Sequence, residues 1–172
     1  AHGFPELVRG SPRVINALDL VQQNIQAEID GSRVIPVLGG ESSDRPEEFG
    51  EPKPNAIYAV KVGALWITHM GDLGRGLTAE ELEPFVNRCD VLLALVSGAP
   101  LSIPLNELDF LIDYLKPKWI VPMHYRLPPL DITPFAPLTE FLDRHRDDPL
   151  FYARSSTVRL PIETDLAQPI IV

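Results

Sequence analysis

The sequence predicts an α/β fold, a mixed sheet covered by helices. Three observations lead there. Paired short apolar runs joined by turn residues fill the first third of the chain, and helix-like and strand-like runs alternate after Leu77. The stretch VLLALV, from Val91 to Val96, is continuously apolar, as in a strand buried on both faces.

The elements follow in order. Arg13-Val14-Ile15 reads as a strand after the turn-like Gly10-Ser11-Pro12. Asn24 to Ile29 alternates apolar and polar residues, with Ile25, Ala27 and Ile29 on one side. Asp30-Gly31 is a hairpin turn signal, and Val34 to Leu38 returns as the partner strand. Gly39 to Pro54, rich in Gly, Ser, Glu and Pro, reads as a surface loop. A second hairpin runs from Ala56 to Val62, turns near Gly63 and returns over Ala64 to Thr68. After the loop His69 to Leu77, Thr78 and Glu81 have capping-box spacing, which starts a helix expected to reach about Asn87. Asp90 to Val96 is the buried strand. Pro104 to Leu115 reads as a helix, with Leu105, Leu108, Leu111, Ile112 and Leu115 on one face and Pro104 suited to its first turn. Trp119-Ile120-Val121-Pro122 is a short buried strand ending in Met123-His124-Tyr125. A third helix is expected over Phe135 to Arg146, and Phe151 to Ala153 and Thr157 to Leu160 read as closing strands.

The chain has 172 residues, 45% of them hydrophobic and 23% charged, enough for a single domain over 1–172 with a substantial core. Its formal charge of -9 lacks the basic footprint that a phosphate backbone or an anionic membrane requires, so neither nucleic acid nor a membrane is an expected partner. Apolar runs are interrupted well short of the roughly 18 residues of a membrane-spanning helix. The one cysteine, Cys89, forms no internal disulfide and supplies no Cys-type zinc site, which makes a reducing cytoplasm the expected location. The 18 prolines are dispersed as loop and strand punctuation. The chain begins at Ala1, and His2-Gly3-Phe4-Pro5 resembles neither a signal peptide nor a helix start.

Two positions place a metal-capable side chain just past a strand, where α/β folds put their ligand-binding groups. One is His69-Met70-Gly71-Asp72, after Ala64 to Thr68; the other is His124, after Trp119 to Pro122. A carboxylate and an imidazole at one sheet edge suit Zn, Mn or Fe. A lone histidine at a strand end is also a common structural hydrogen-bonding residue.

Four segments carry a family resemblance: NAIY (55–58), ITHMGDLGRGL (67–77), DVLLALVSGAPLSI (90–103) and LKPKWIVPMHY (115–125). In order and spacing they resemble the later half of the metallo-β-lactamase superfamily. The branch they look most like is that of small cytoplasmic metal-dependent hydrolases similar to the L-ascorbate-6-phosphate lactonases. The resemblance runs from about Ser11 to the C-terminus. It implies a four-layer αββα sandwich with a metal site at the sheet edge. It further implies that Asp72 bridges two metals (Zn or Mn), that His124 is a terminal ligand of the second, and that His69 is an outer partner of the ligands. The implied reaction is attack by metal-activated water on an ester, lactone, amide or phosphoester of a small-molecule substrate.

The sequence departs from that family twice. The signature His-x-His-x-Asp-His is absent, and Ala1 to Arg13 looks like what normally follows it, so the fold is expected to be incomplete at its N-terminus. A further histidine ligand is replaced in the stretch Gly39 to Asp44, where Ser43 best occupies its place and Glu41 or Asp44 could substitute as an oxygen ligand. Two function classes follow. One is a metal-dependent hydrolase, inactive by itself if its ligands stay incomplete. The other is a degenerate superfamily member acting as a scaffold, whose uncovered sheet face would pair with a partner or a second copy. Other conspicuous residues have plain readings: Trp66 and Trp119 as core, Cys89 as a small hydrophobe, His145 as a solvated surface residue, and Ser97 to Pro100 as a loop of small residues that could line a pocket. Tyr125 and Arg126, beside His124, could contact a substrate anion.

Overall fold

The structure is a computed structural model that describes residues 10, 14–29, 31–41, 53–129, 135–155, 157–160 and 169–172. Its strands are β1 (Ala27–Ile29), β2 (Ser32–Gly40), β3 (Pro54–Val62), β4 (Leu65–His69), β5 (Val91–Leu95), β6 (Trp119–Met123) and β7 (Ile170–Ile171). Its helices are α1 (Ala17–Gln22), α2 (Ala79–Leu82), α3 (Leu105–Leu115) and α4 (Leu138–Arg144), and a 3₁₀ turn over Glu83–Phe85 extends α2. The seven strands form one mixed sheet in chain order. β1 to β4 pair antiparallel, and β4 to β7 pair parallel. The α/β expectation therefore stands. Among the described residues one sheet is seen, of the two that a four-layer sandwich contains.

Register separates the two faces. Ile35 lies opposite Ala59, Thr68 opposite Leu92, Leu92 opposite Ile120, and Ile120 opposite Ile171. These residues belong to the face that packs on Leu108, Leu111, Ile112 and Leu115 of α3, Phe85 of the 3₁₀ turn and Phe141 of α4, forming the main core. The alternate residues Ile67, Val91, Leu93, Trp119, Val121 and Ile170 form a smaller cluster on the opposite face. α1 packs against β2 and β3.

Most expected elements are found, with shifted ends. The turns keep positive φ at Gly31 and Gly63, where a residue without a Cβ meets no steric cost. The capping box is present: Thr78 accepts the Glu81 N–H and the Glu81 carboxylate accepts the Thr78 N–H. The helix it starts is shorter than expected, because Pro84 sits in the 3₁₀ turn and the chain leaves helical geometry at Val86. α4 begins at Leu138 rather than Phe135, following Pro137.

Three expectations are corrected. Val14 and Ile15 are not a strand, and Val14 is 80% exposed. The chain instead enters α1, whose Asn16 side chain accepts the Leu18 N–H at 3.1 Å. Phe151 to Ala153 and the described residues of Thr157 to Leu160 form no strands. The sheet is closed by β7, which lies parallel to β6, with Phe151 only donating its N–H to the Ile171 carbonyl. His145 is not solvated: its side chain is 11% exposed, and its ring nitrogens lie 3.2 Å from the Asp109 carboxylate and 2.9 Å from that of Asp148. Trp119 is buried and Trp66 packs partly buried against the core, as expected.

Candidate functional site

β4, β5 and β6 are parallel neighbours, so their C-terminal ends emerge side by side. His69 to Asp72 leaves the first, Ser97 follows the second and His124 follows the third. This is the edge at which open α/β sheets bind ligands.

The Asp72 loop is anchored from below. Met70 and Leu73 are fully buried in the core, and Gly71 and Asp72 between them are left at the surface side. Gly71 has φ +63°, and a Cβ there would meet Asn55 Oδ1 at 2.5 Å and the Ala56 carbonyl at 2.8 Å, so only glycine fits. Asn55 clamps the turn from both sides. Its Nδ2 donates to the Met70 carbonyl at 3.1 Å, and its Oδ1 accepts the Asp72 N–H at 3.0 Å. The Leu73 carbonyl accepts the Ile103 N–H at 2.8 Å, which ties this loop to the segment after β5.

His69 faces the same side as Tyr58, with rings stacked at 5.4 Å. Its Nδ1 accepts the Gly71 N–H at 2.8 Å. In a neutral ring that bond uses the one acceptor nitrogen, so His69 shapes the Asp72 turn. Burial pushes its pKa below 6.5, which keeps the ring neutral.

His124 takes a left-handed backbone, φ +61°, uncommon outside glycine. This turn ends β6 and brings Nδ1 to 3.1 Å from the Ser97 hydroxyl. The ring packs on Phe135 at 4.3 Å. Burial lowers the His124 pKa, and the Asp72 carboxylate is near enough to oppose that shift. Asp72 and His124 thus follow the C-terminal ends of β4 and β6, the two strands that flank β5. The Asp72 carboxylate and His124 Nε2 hold no hydrogen bond among the described residues, so both are uncommitted.

These two groups suit a Zn or Mn ion in kind, one oxygen and one imidazole nitrogen. A catalytic zinc takes three protein ligands, and among the described residues no group of three His, Cys, Asp or Glu stands together. The pair is thus a partial donor set. Ser43, Asp44 and His2 lie outside the described residues. Glu41 lines a cavity of about 770 Å³ together with Asp72, Asn55 and Tyr58, and that cavity is roofed by α1. A second cavity, of about 540 Å³, is lined by Ser97, Arg126 and Phe135. Cys89 is buried and its thiol pKa is pushed up to about 12, so it is no nucleophile.

Residues 1–124 match the beta-lactamase superfamily domain. The chain belongs to that superfamily. Its fold is also that of a solved structure assigned to the superfamily. A protein from Thermotoga maritima, assigned to the Zn-dependent hydrolases of the metallo-β-lactamase superfamily, aligns over 99% of this chain and 76% of its own, with TM-score 0.68 and 24% identity. A metallo hydrolase from the archaeon Ignicoccus hospitalis aligns over 75% of this chain and 57% of its own, with TM-score 0.48 and 22% identity. No curated protein matches the sequence. Within this superfamily member, Asn55 and Ser102 are site residues that sequence reasoning did not single out. The Asn55–Asp72 bond joins positions 17 apart, whereas Ser102 bonds within its own segment, to Ser97 and Gly98. Among the described residues, no helix is long and apolar enough to cross a membrane.

Proposed function

We propose that this chain is a metal-dependent hydrolase of the metallo-β-lactamase type, with Asp72 and His124 as two donors of its cation site. What supports the reading is that a carboxylate and an imidazole nitrogen, neither hydrogen-bonded among the described residues, follow the C-terminal ends of β4 and β6. The chemistry supplied by such a cation, when bound, is polarisation of the bond to be cleaved and activation of water. The chain's own residues hold the donors: Asn55 and His69 fix the Asp72 turn, and Ser97 holds the His124 ring. The cavity of about 770 Å³ beside Asp72 is of small-molecule size. Its substrate is an ester, lactone, amide or phosphoester; assignment to the lactonase branch rests on the sequence motifs alone. A cytoplasmic location belongs to the same reading.

Elemental analysis of the purified protein and titration with zinc and with manganese test it. Asp72→Asn and His124→Gln are each expected to weaken cation binding by about tenfold or more and to abolish hydrolysis of a panel of those four bond types. Absence of cation binding and of hydrolysis in the full protein would overturn it.

The partial donor set favours a second reading, a non-catalytic member of the superfamily that acts as a scaffold or pairs with a second copy. A stable dimer by light scattering, with neither zinc nor manganese retained, is its expected signature.

A further inference from the structure

The His124 ring is the end of a buried hydroxyl chain. The Ser102 hydroxyl lies 3.1 Å from the Gly98 carbonyl, the Ser97 and Ser102 oxygens are 2.9 Å apart, and Ser97 Oγ is 3.1 Å from His124 Nδ1. Ser97 is 1% exposed and Ser102 0%, so water does not compete for these contacts.

Three contacts with two hydroxyl protons admit one complete arrangement. The Gly98 carbonyl only accepts, so its bond takes the Ser102 proton. The Ser102 oxygen then accepts the Ser97 proton. The Ser97 oxygen, its own proton spent, accepts from the ring, and Nδ1 must carry the hydrogen. The reverse arrangement turns the Ser102 proton to Ser97 and the Ser97 proton to the ring; the Gly98 carbonyl then keeps only the Ser102 backbone N–H, at 3.1 Å, and the Ser102 and Gly98 oxygens face each other with lone pairs, so it makes one contact fewer.

We infer that Ser97 and Ser102 are positioning residues that hold the His124 hydrogen on Nδ1 and leave the lone pair on Nε2 for a cation. The left-handed backbone at His124 serves the same end, since it is what brings the ring to Ser97. The chain runs from a backbone carbonyl through two side chains and is therefore anchored to the loop itself. The sequence VSGAPLS supplies both hydroxyls, five residues apart, on the segment between β5 and α3. As a device for presenting a donor, it rests on the metal-site reading above. The hydrogen's position is read without any metal, so the failure of one is distinguishable from the failure of the other.

The test is nitrogen NMR of the histidine rings in chelator-treated protein, at a pH where the rings are neutral. In the wild-type protein, His124 is expected to show a protonated Nδ1 and an unprotonated Nε2. Ser97→Thr, which keeps the hydroxyl, should preserve that signature. Ser102→Ala frees the Ser97 proton to turn toward the ring, and Ser97→Ala removes the acceptor; both should move the hydrogen to Nε2 while amide spectra report a native fold. An unprotonated Nδ1 in the wild-type protein would overturn the inference. So would folded Ser97→Ala and Ser102→Ala proteins that retain the wild-type ring signature. If either alanine variant fails to fold, the wild-type spectrum still decides.

Discussion

Asn55 connects the two ends of the Asp72 turn through one side chain. Asn55→Ala leaves the Asp72 N–H and the Met70 carbonyl without their partner. The expected loss is about 1–3 kcal/mol of stability, read from urea unfolding, together with weaker cation binding. A protein as stable as the wild type would show that the clamp is idle. The histidines make a second prediction at this scale. Both His69 and His124 have pKa values lowered by burial from 6.5. Above that value folded and unfolded chains are equally unprotonated. Below it the unfolded chain takes up protons that the folded one resists, so stability falls as pH drops from 6.5 through the lowered folded values. Melting temperatures of metal-free protein from about pH 7.5 to about pH 5 should fall on the acid side. His69→Gln should flatten that dependence. Asp72 and His124 were legible in the sequence because a ligand-type residue just after an apolar strand is a local pattern. The Ser97–His124 bond was not, since it joins positions 27 apart.

Local signals were most informative for the elements. The turn glycines and the Thr78–Glu81 box act within a few residues, and they are found where the sequence indicates. The Glu81 carboxylate is held down to a pKa of about 2, first by its hydrogen bond from Arg75 and also by the Thr78 N–H. The contribution of that carboxylate is present above pH 4.5 and is lost as pH falls toward 2. Thr78→Ala is expected to cost about 1 kcal/mol at neutral pH, measured by chemical denaturation. An unchanged midpoint would mean that tertiary packing holds α2 without its cap. Where local signals misled, the elements were short. A three-residue run such as Arg13 to Ile15 or Phe151 to Ala153 fits a strand and a coil equally well. β7 is only two residues long, and it is a strand because Ile170 and Ile171 find β6 beside them.

Across the whole molecule, stability rests on one face of the sheet. Phe141 is the fully buried residue of α4 in the main core, with Leu138 and Leu142 packed partly buried beside it. Phe141→Ala is expected to cost about 3–5 kcal/mol, seen as a lowered unfolding midpoint. A cost below about 1 kcal/mol would show that α4 is peripheral to that core. The opposite face carries the half-buried Leu65, Ile67, Leu93 and Val121. By itself the sequence determined the α/β class and most strand and helix positions. Periodicity, caps and turn residues are short-range, so these needed no knowledge of what packs on what. Tertiary structure alone decided that Asp72 and His124 share one edge, that Asn55 and Ser97 hold them there, and that His145 is enclosed. The first of those outcomes depends on the parallel pairing of β4, β5 and β6, and the others on side chains of neighbouring elements meeting across it, Asn55 from β3 and Asp109 from α3.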